Sequence, residues 1–270
     1  MKTAYMLVSP DMAKEWLSQN IDNRRVRTTR VAQYARDMVN GKWENDSPNP
    51  IVFGENGILK DGQHRLMALI KADVSLNFLV CWVDDGVKNI DTGATRSVGD
   101  YIKMNGGDYL QNSLIAGITL KITKDIHQAP TRAEIEEEYL KDSATWDKAE
   151  QLSRMGSSHG IGRKSYMILA IRNALACGVS ETTLVRFCNV INTGLSDGRY
   201  ENSAILARNT LIDMKGRTAS RTTQWNLCGL LEEYIRLFVL KSERTRKLKE
   251  PGWCYSLQLQ LKERQTDGTR

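Results

Sequence analysis

Histidine and cysteine are scarce in this chain, with three His and five Cys among 270 residues. Cys81, Cys177, Cys188, Cys228 and Cys254 are odd in number, widely scattered and include no Cys-x-x-Cys pair. That spacing argues against a zinc framework and for reduced, mostly buried thiols, because free cysteine packs as a small hydrophobe. Long apolar runs are also missing. Leu237-Phe238-Val239-Leu240 falls far short of the ~20 residues needed to span a bilayer. The opening Met1-Lys2-Thr3-Ala4-Tyr5 lacks the apolar core of a secretory leader. The expectation is a soluble, cytoplasmic protein with no membrane contact. No internal repeat or low-complexity tract is evident.

What is present is a hydrophobic content of 41%, enough for a packed core in one large or two modest domains. The formal charge of +6 is unevenly spread: residues 1–104 hold 14 Lys/Arg against 13 Asp/Glu, and the remainder 24 against 19. Much of the excess lies in residues 241–249, five bases to one acid. That stretch reads either as a DNA contact or as a solvated helix end, where cations suit the dipole. Trp225, Tyr234 and Trp253 are stacking surfaces on the first view. Helical spacing of Trp225, Leu230, Leu231 and Tyr234 makes them core on the second.

Periodicity divides the chain. Ser9-Pro10-Asp11 starts a helix with Ser9 as N-cap, and that helix ends near Asn20. Thr28-Thr29 caps a second helix carrying Val31, Tyr34, Ala35, Met38 and Val39 on one stripe, closed by Asn40-Gly41. Ile51-Val52-Phe53 and Ile58-Leu59-Lys60 form a hairpin turned at Glu55-Asn56-Gly57. A helix from His64 to Lys71 and a buried strand, Leu76–Val83, follow. Beyond Ile102 the spacing turns helical, over Leu110–Ile122, Arg132–Leu152, Lys164–Cys177 and Thr182–Ile191. Thr131 and Glu134 have capping-box spacing. Gly156–Gly162 reads as a loop, or as a glycine-rich phosphate cradle that lacks the P-loop Lys-Ser/Thr.

The most informative dozen is Ile58–Leu69, where an apolar strand meets an apolar helix through Asp61-Gly62-Gln63-His64-Arg65. Gly62 permits a tight turn at the strand exit. The helix that opens there presents unsatisfied N–H groups and a positive dipole end, which favour a phosphate. Arg65 adds a planar fork of donors. His64 is a general base or phosphate donor, or a ring packed with one hydrogen bond.

This order of helix, Asn-x-x-x-Arg segment (residues 23–27), helix, Pro-Ile strand and Asp-Gly-Gln-His-Arg turn resembles the ParB/sulfiredoxin-like superfamily, in particular its phage and bacterial members with ParB-like domains. The match covers roughly residues 7–104. It implies an α+β protein: an N-terminal ParB/sulfiredoxin-like α/β domain with a small mixed sheet, residues 1–104, then a mainly helical domain, residues 105–270. The resemblance implies that Gly62, Gln63, His64 and Arg65 bind nucleotide phosphates and that Arg24 or Arg25 lies near them. It also implies that Arg30, Gln33 and Asp37 face the base or ribose. Asp61 and Asp37 are then candidate ligands of Mg²⁺, or else surface ion-pair partners of Arg65 and Arg36. The segment Asp91-Thr92-Gly93-Ala94-Thr95-Arg96 matches a phage-type motif and places Asp91, Thr92 and Arg96 beside a phosphoryl group, or makes a capped turn.

Two departures narrow the function. Sulfiredoxins carry a reacting cysteine in this turn where Gln63 stands, and partitioning proteins follow with a helix-turn-helix that is not evident after residue 104. The expected function is therefore a nucleoside triphosphate (ATP or CTP) bound with Mg²⁺ and hydrolysed or used for phosphoryl transfer, in DNA metabolism. In that reading Asp61, His64 and Arg65 are catalytic. The alternatives are a DNA-binding protein with a degenerate nucleotide site, and a ParB-like nuclease, the latter without a His-Asn-His pattern or carboxylate cluster. The helical half could bind DNA, a protein or a second copy of itself, as a homodimer.

Overall fold

A computed structural model describes residues 1–21, 23, 25–45, 47–86, 98–104, 110–126, 128–155, 164–217 and 220–248. The chain groups into two compact units, one of residues 1–96 with 129–133 and the other of residues 97–128 with 134–270. The architecture is α+β and mostly helical, with one small mixed sheet.

In the first unit the elements run β1 (Lys2–Val8), α1 (Pro10–Ser18), α2 (Thr28–Val39), β2 (Ile51–Gly54), β3 (Leu59–Asp61), α3 (Gln63–Ala72) and β4 (Leu76–Val83). The four strands lie in the order β1-β4-β2-β3. The β1–β4 and β2–β3 pairs are antiparallel, whereas β2 and β4 run parallel in a register that sets Ile51 opposite Val80 and Phe53 opposite Trp82. Parallel neighbours need a crossover, and α3 supplies it between β3 and β4. Val8, Ile51, Phe53, Leu59, Phe78 and Val80 share one apolar cluster with Ala13, Val31, Ala35, Met38, Leu66, Ala68 and Leu69 from the helices.

Local chemistry explains the helix starts. Ser9 is extended and its side chain accepts the Met12 N–H at 3.2 Å, with Pro10 at the first helical position. α2 departs from the expected cap: Arg27 occupies the N-cap position and no side chain bonds the helix start there, so Thr28 and Thr29 lie inside the helix. Val39 also leaves the expected apolar stripe, being 62% exposed in the last turn, one residue round from buried Met38. β4 is buried only on its Phe78/Val80 side and at Cys81, since the remaining positions are half-buried. β1 is an element that the periodicity reading did not anticipate. Its alternation, with Tyr5 and Leu7 exposed and Val8 buried, is the period-2 signal.

The second unit is helical: α4 (Val98–Met104), α5 (Asn112–Ile126), α6 (Arg132–Leu140), α7 (Ser143–Ser153), α8 (Ser165–Ala176), α9 (Glu181–Thr193), α10 (Asn202–Asp213) and α11 (Arg221–Val239). The single helix expected over 132–152 is two, broken at Lys141-Asp142 with Asp142 at the N-cap position of α7. One core cluster holds Ile118, Trp146, Ile168, Phe187, Leu231 and Tyr234 among many others. Tyr234 is fully buried and Trp225 packs against that cluster, its ring N–H donating to the Leu120 carbonyl at 3.0 Å, so both are core groups rather than stacking surfaces. Among the described residues no helix is long and apolar enough to cross a membrane.

Candidate functional site

The strand-to-helix junction is built on one glycine. Gly62 has φ +110° and ψ 0°, in the left-handed region, and α3 starts at the next residue. A Cβ at this position would lie 2.5 Å from the Ile51 Cδ1 and 3.4 Å from the Ile51 Cα. The space above Gly62 is therefore filled by the β2 side chain. The Gly62 carbonyl accepts the N–H groups of Arg65 and Leu66, at 2.9 and 3.0 Å, which begins the helical ladder. Gly62 supplies no side-chain cap, and no acid occupies the first turn of α3. The positive end of the helix dipole is therefore not offset by a residue of that turn.

Each of the three residues after Gly62 has a definite partner. Gln63 is buried, and its Oε1 accepts from Asn20 Nδ2 at 3.2 Å. Asn23 Nδ2 in turn donates to Asn20 Oδ1 at 2.5 Å and to the Leu59 carbonyl at 2.6 Å. His64, also buried, accepts the Arg27 backbone N–H on Nε2 at 2.9 Å. An amide N–H requires a lone pair on that nitrogen, so the contact selects the neutral ring with its proton on Nδ1. Arg65 donates from one terminal nitrogen to the Pro50 carbonyl at 2.8 Å and to Asp61 Oδ2 at 2.9 Å, and from the other to the Asn49 carbonyl. Its guanidinium thereby ties the 49–50 chain entering β2 to the end of β3.

These bonds assemble a site that differs in detail from the expected one. The loop of residues 20–27 is laced to the turn through Asn20, Asn23 and the Arg27 amide, and it carries Arg25 and Arg27 with exposed side chains. Arg24 of the same loop lies outside the described residues, as do Asp91, Thr92 and Arg96, the Gly156–Gly162 segment, Trp253 and Cys254. On α2, Arg30, Gln33 and Asp37 fall on one stripe. The Arg30 guanidinium sits 5.6 Å from the Tyr34 ring centre. The Gln33 amide donates to the Pro130 carbonyl at 2.7 Å, beside an Arg36 bond to the Ala129 carbonyl at 2.7 Å. Asp37 is half-buried on that helix.

Asp61 is an ion-pair partner of Arg65, their side chains 31% and 13% exposed. Among the described residues no three His, Cys, Asp or Glu side chains are grouped to hold a metal ion. Arg27 enters the sequence reading only as the end of the Asn-x-x-x-Arg segment, and Asn20 and the Asn49 and Pro50 carbonyls are not singled out by it. Their only signal is position, in loops that precede α2 and β2.

The basic stretch begins after α11 has ended. Lys241 turns the chain at φ +52°, and residues 242–248 are not helical. Lys247 pairs with Asp213, the Arg244 Nε donates to the Arg246 carbonyl at 2.7 Å, and the Leu248 N–H donates to the Tyr234 hydroxyl at 2.9 Å. The segment is thus tied back to α10 and α11 as well as exposed.

Comparison with protein families, curated proteins and solved structures finds no match.

Proposed function

We propose that the first unit is a nucleotide-binding module of the ParB/sulfiredoxin-like kind, which holds the phosphates of a nucleoside triphosphate at the start of α3. One observation carries the reading: the arginine-bearing loop is laced to that helix start by the Asn20–Gln63, Asn23–Leu59 and Arg27–His64 bonds. The loop that carries exposed Arg25 and Arg27 is thereby tied to a helix start without a side-chain cap, and cationic side chains and a helix N-terminus both attract a multiply charged anion.

The partition of roles follows from the partners. Arg25 and Arg27 are the phosphate contacts. Arg65 is a positioning residue, because its donors already hold Asn49, Pro50 and Asp61. His64 Nε2 holds the Arg27 amide, so hydrolysis with this nitrogen as base requires that bond to open. Binding without appreciable turnover is therefore the expected behaviour of the isolated chain.

Titration calorimetry with ATP, CTP, GTP and UTP, each with and without Mg²⁺, tests the reading, and phosphate release is followed in parallel. Loss of a guanidinium–phosphate contact weakens binding by about tenfold or more. Arg25→Ala and Arg27→Ala should each show that loss at unchanged thermal stability. If no nucleotide binds, or if the double variant binds as the wild type does, the proposal fails.

A further inference from the structure

We propose that the strap of residues 241–247, together with Lys215 and Arg217 in the turn after α10, is a binding surface for the phosphate backbone of a nucleic acid. The inference concerns the second unit alone and does not depend on nucleotide binding by the first.

Two stretches of sequence are joined into one surface. Lys241 turns the chain out of α11, and the residues after it meet both ends of α10. Glu243 pairs with Arg199, three residues before α10, and Lys247 pairs with Asp213, the last residue of that helix. These anchor points lie 14 residues apart, about 20 Å at helical rise. Exposed ion pairs contribute little, so the seating rests on Leu248. Its N–H donates to the Tyr234 hydroxyl at 2.9 Å, and its side chain packs against the helical core. The same hydroxyl lies 3.2 Å from Thr210 Oγ1, which ties the end of the strap to α10 as well as α11. Just past Asp213, the Arg217 N–H donates to the Met214 carbonyl at 2.9 Å, and this turn carries Lys215 and Arg217.

Charge on the joined surface is of one sign. Its two acids, Asp213 and Glu243, are each matched by a base, Lys247 and Arg199. Lys215, Arg217, Lys241, Arg244 and Arg246 are left over, and all five are exposed. Among the described residues the side chains of Lys215, Arg217, Lys241 and Arg246 enter no hydrogen bond or ion pair, and Arg244 spends only its Nε–H, on the Arg246 carbonyl at 2.7 Å. A concentration of uncompensated bases draws a polyanion.

The side chains around these bases favour a nucleic acid over a lipid surface. Leu248 is the apolar residue of the segment, and it is committed to the core. The strap therefore offers charge and the hydroxyls of Ser242 and Thr245, with no bulky apolar group of its own to enter a bilayer. Arginine, lysine and hydroxyl side chains are the groups that contact nucleic-acid phosphates. Three of the five unmatched bases are arginines, whose planar forks fit phosphate oxygens in pairs.

Fluorescence anisotropy of the full chain with a labelled DNA duplex of about 20 base pairs, at salt from roughly 50 to 200 mM, is the test. Five phosphate contacts should make log affinity fall with log salt at a slope of about −4 to −5. The triple variant Lys215→Gln, Arg217→Gln, Arg246→Gln should bind about tenfold or more weakly at the lowest salt and reduce the slope by about three. Its melting temperature should be unchanged, because none of those side chains holds another group. If it melts early, Lys241→Gln with Arg244→Gln supplies the same reading, with a slope reduced by about two. The triple variant Lys2→Gln, Lys14→Gln, Lys71→Gln removes equal charge from exposed positions of the first unit and should bind as the wild type does. Absence of duplex binding, or binding insensitive to salt, overturns the proposal. So does an equal loss in the two triple variants, or capture of the chain by phosphatidylserine vesicles without binding to the duplex.

Discussion

Gly62→Ala tests the construction of the site most directly, because two separable penalties meet at one atom. An alanine must adopt φ +110°, a region costing an L-residue about 1–2 kcal/mol. Its Cβ must also displace Ile51 Cδ1 from 2.5 Å, and Ile51 is fully buried. Overpacking of this sort costs about 1–3 kcal/mol, so the total is about 2–5 kcal/mol, against a stability on the order of 5–15 kcal/mol for a whole protein. Gly57→Ala provides the comparison. It has φ +81° and nothing within 4 Å of the added atom, so only the backbone penalty of about 1–2 kcal/mol applies. Urea unfolding measures both, and Gly62→Ala should lower the midpoint by on the order of 1 M or more. Combining it with Ile51→Val removes the clashing Cδ1. That change alone costs about 0.5–1.5 kcal/mol, yet the double variant should be more stable than the sum by about 1 kcal/mol. Equal destabilisation by Gly62→Ala and Gly57→Ala, or strict additivity with Ile51→Val, would refute the packing account of this turn.

Other expectations separate structural from ligand roles. Arg65→Ala breaks the bonds to Asn49, Pro50 and Asp61. It should destabilise the fold by about 2–3 kcal/mol, and Arg65→Lys should not restore it because a single ammonium cannot span the three acceptors, as calorimetric melting would show. Asn192→Ala in the second unit strips the carbonyls of Ser153 and Met155, bonded at 3.2 and 2.6 Å, of a buried donor and should cost about 1–3 kcal/mol in urea. Burial pushes the Cys188 thiol up to about 12, so it stays protonated at every working pH. Mass-mapped alkylation at pH 8 should label it only after unfolding. The Arg186 hydrogen bond holds the Glu201 carboxyl below its ordinary value. A lowered folded-state pKa means stability that is present above the ordinary carboxylate range and lost as pH falls through the lowered value, so Glu201→Gln should flatten the acid limb of a melting-temperature profile.

The parts of the fold legible in the sequence are those whose cause is local. Ser9-Pro10 states a helix start within two residues, and Gly57 and Gly62 mark turns because no other residue takes their φ without strain. β1 is local too, yet seven residues of period 2 from Lys2 to Val8 give only a short signal. The break between α6 and α7 is hidden for a different reason: Glu-rich and Ala-rich turns on both sides keep the helical period running through Lys141-Asp142.

The candidate site is legible only in its skeleton. Asp61-Gly62-Gln63-His64-Arg65 shows that a strand meets a helix, but what its side chains hold is decided by partners 15 to 43 residues away, from Pro50 back to Asn20. Loop asparagines such as Asn20 and Asn23 carry no period, so nothing in the chain announces that they bridge to Gln63 and Leu59. An arginine whose donors meet two carbonyls and a carboxylate is a clasp, whereas Arg25 and Arg27 stand exposed on the 20–27 loop. On the proposed reading, phosphate affinity in this unit depends on the seating of that loop as well as on charge. Asn23→Ala, which loosens the loop while leaving every arginine in place, should therefore weaken nucleotide binding by a similar order to Arg25→Ala. Equal binding by Asn23→Ala and the wild type would show that the lacing is incidental.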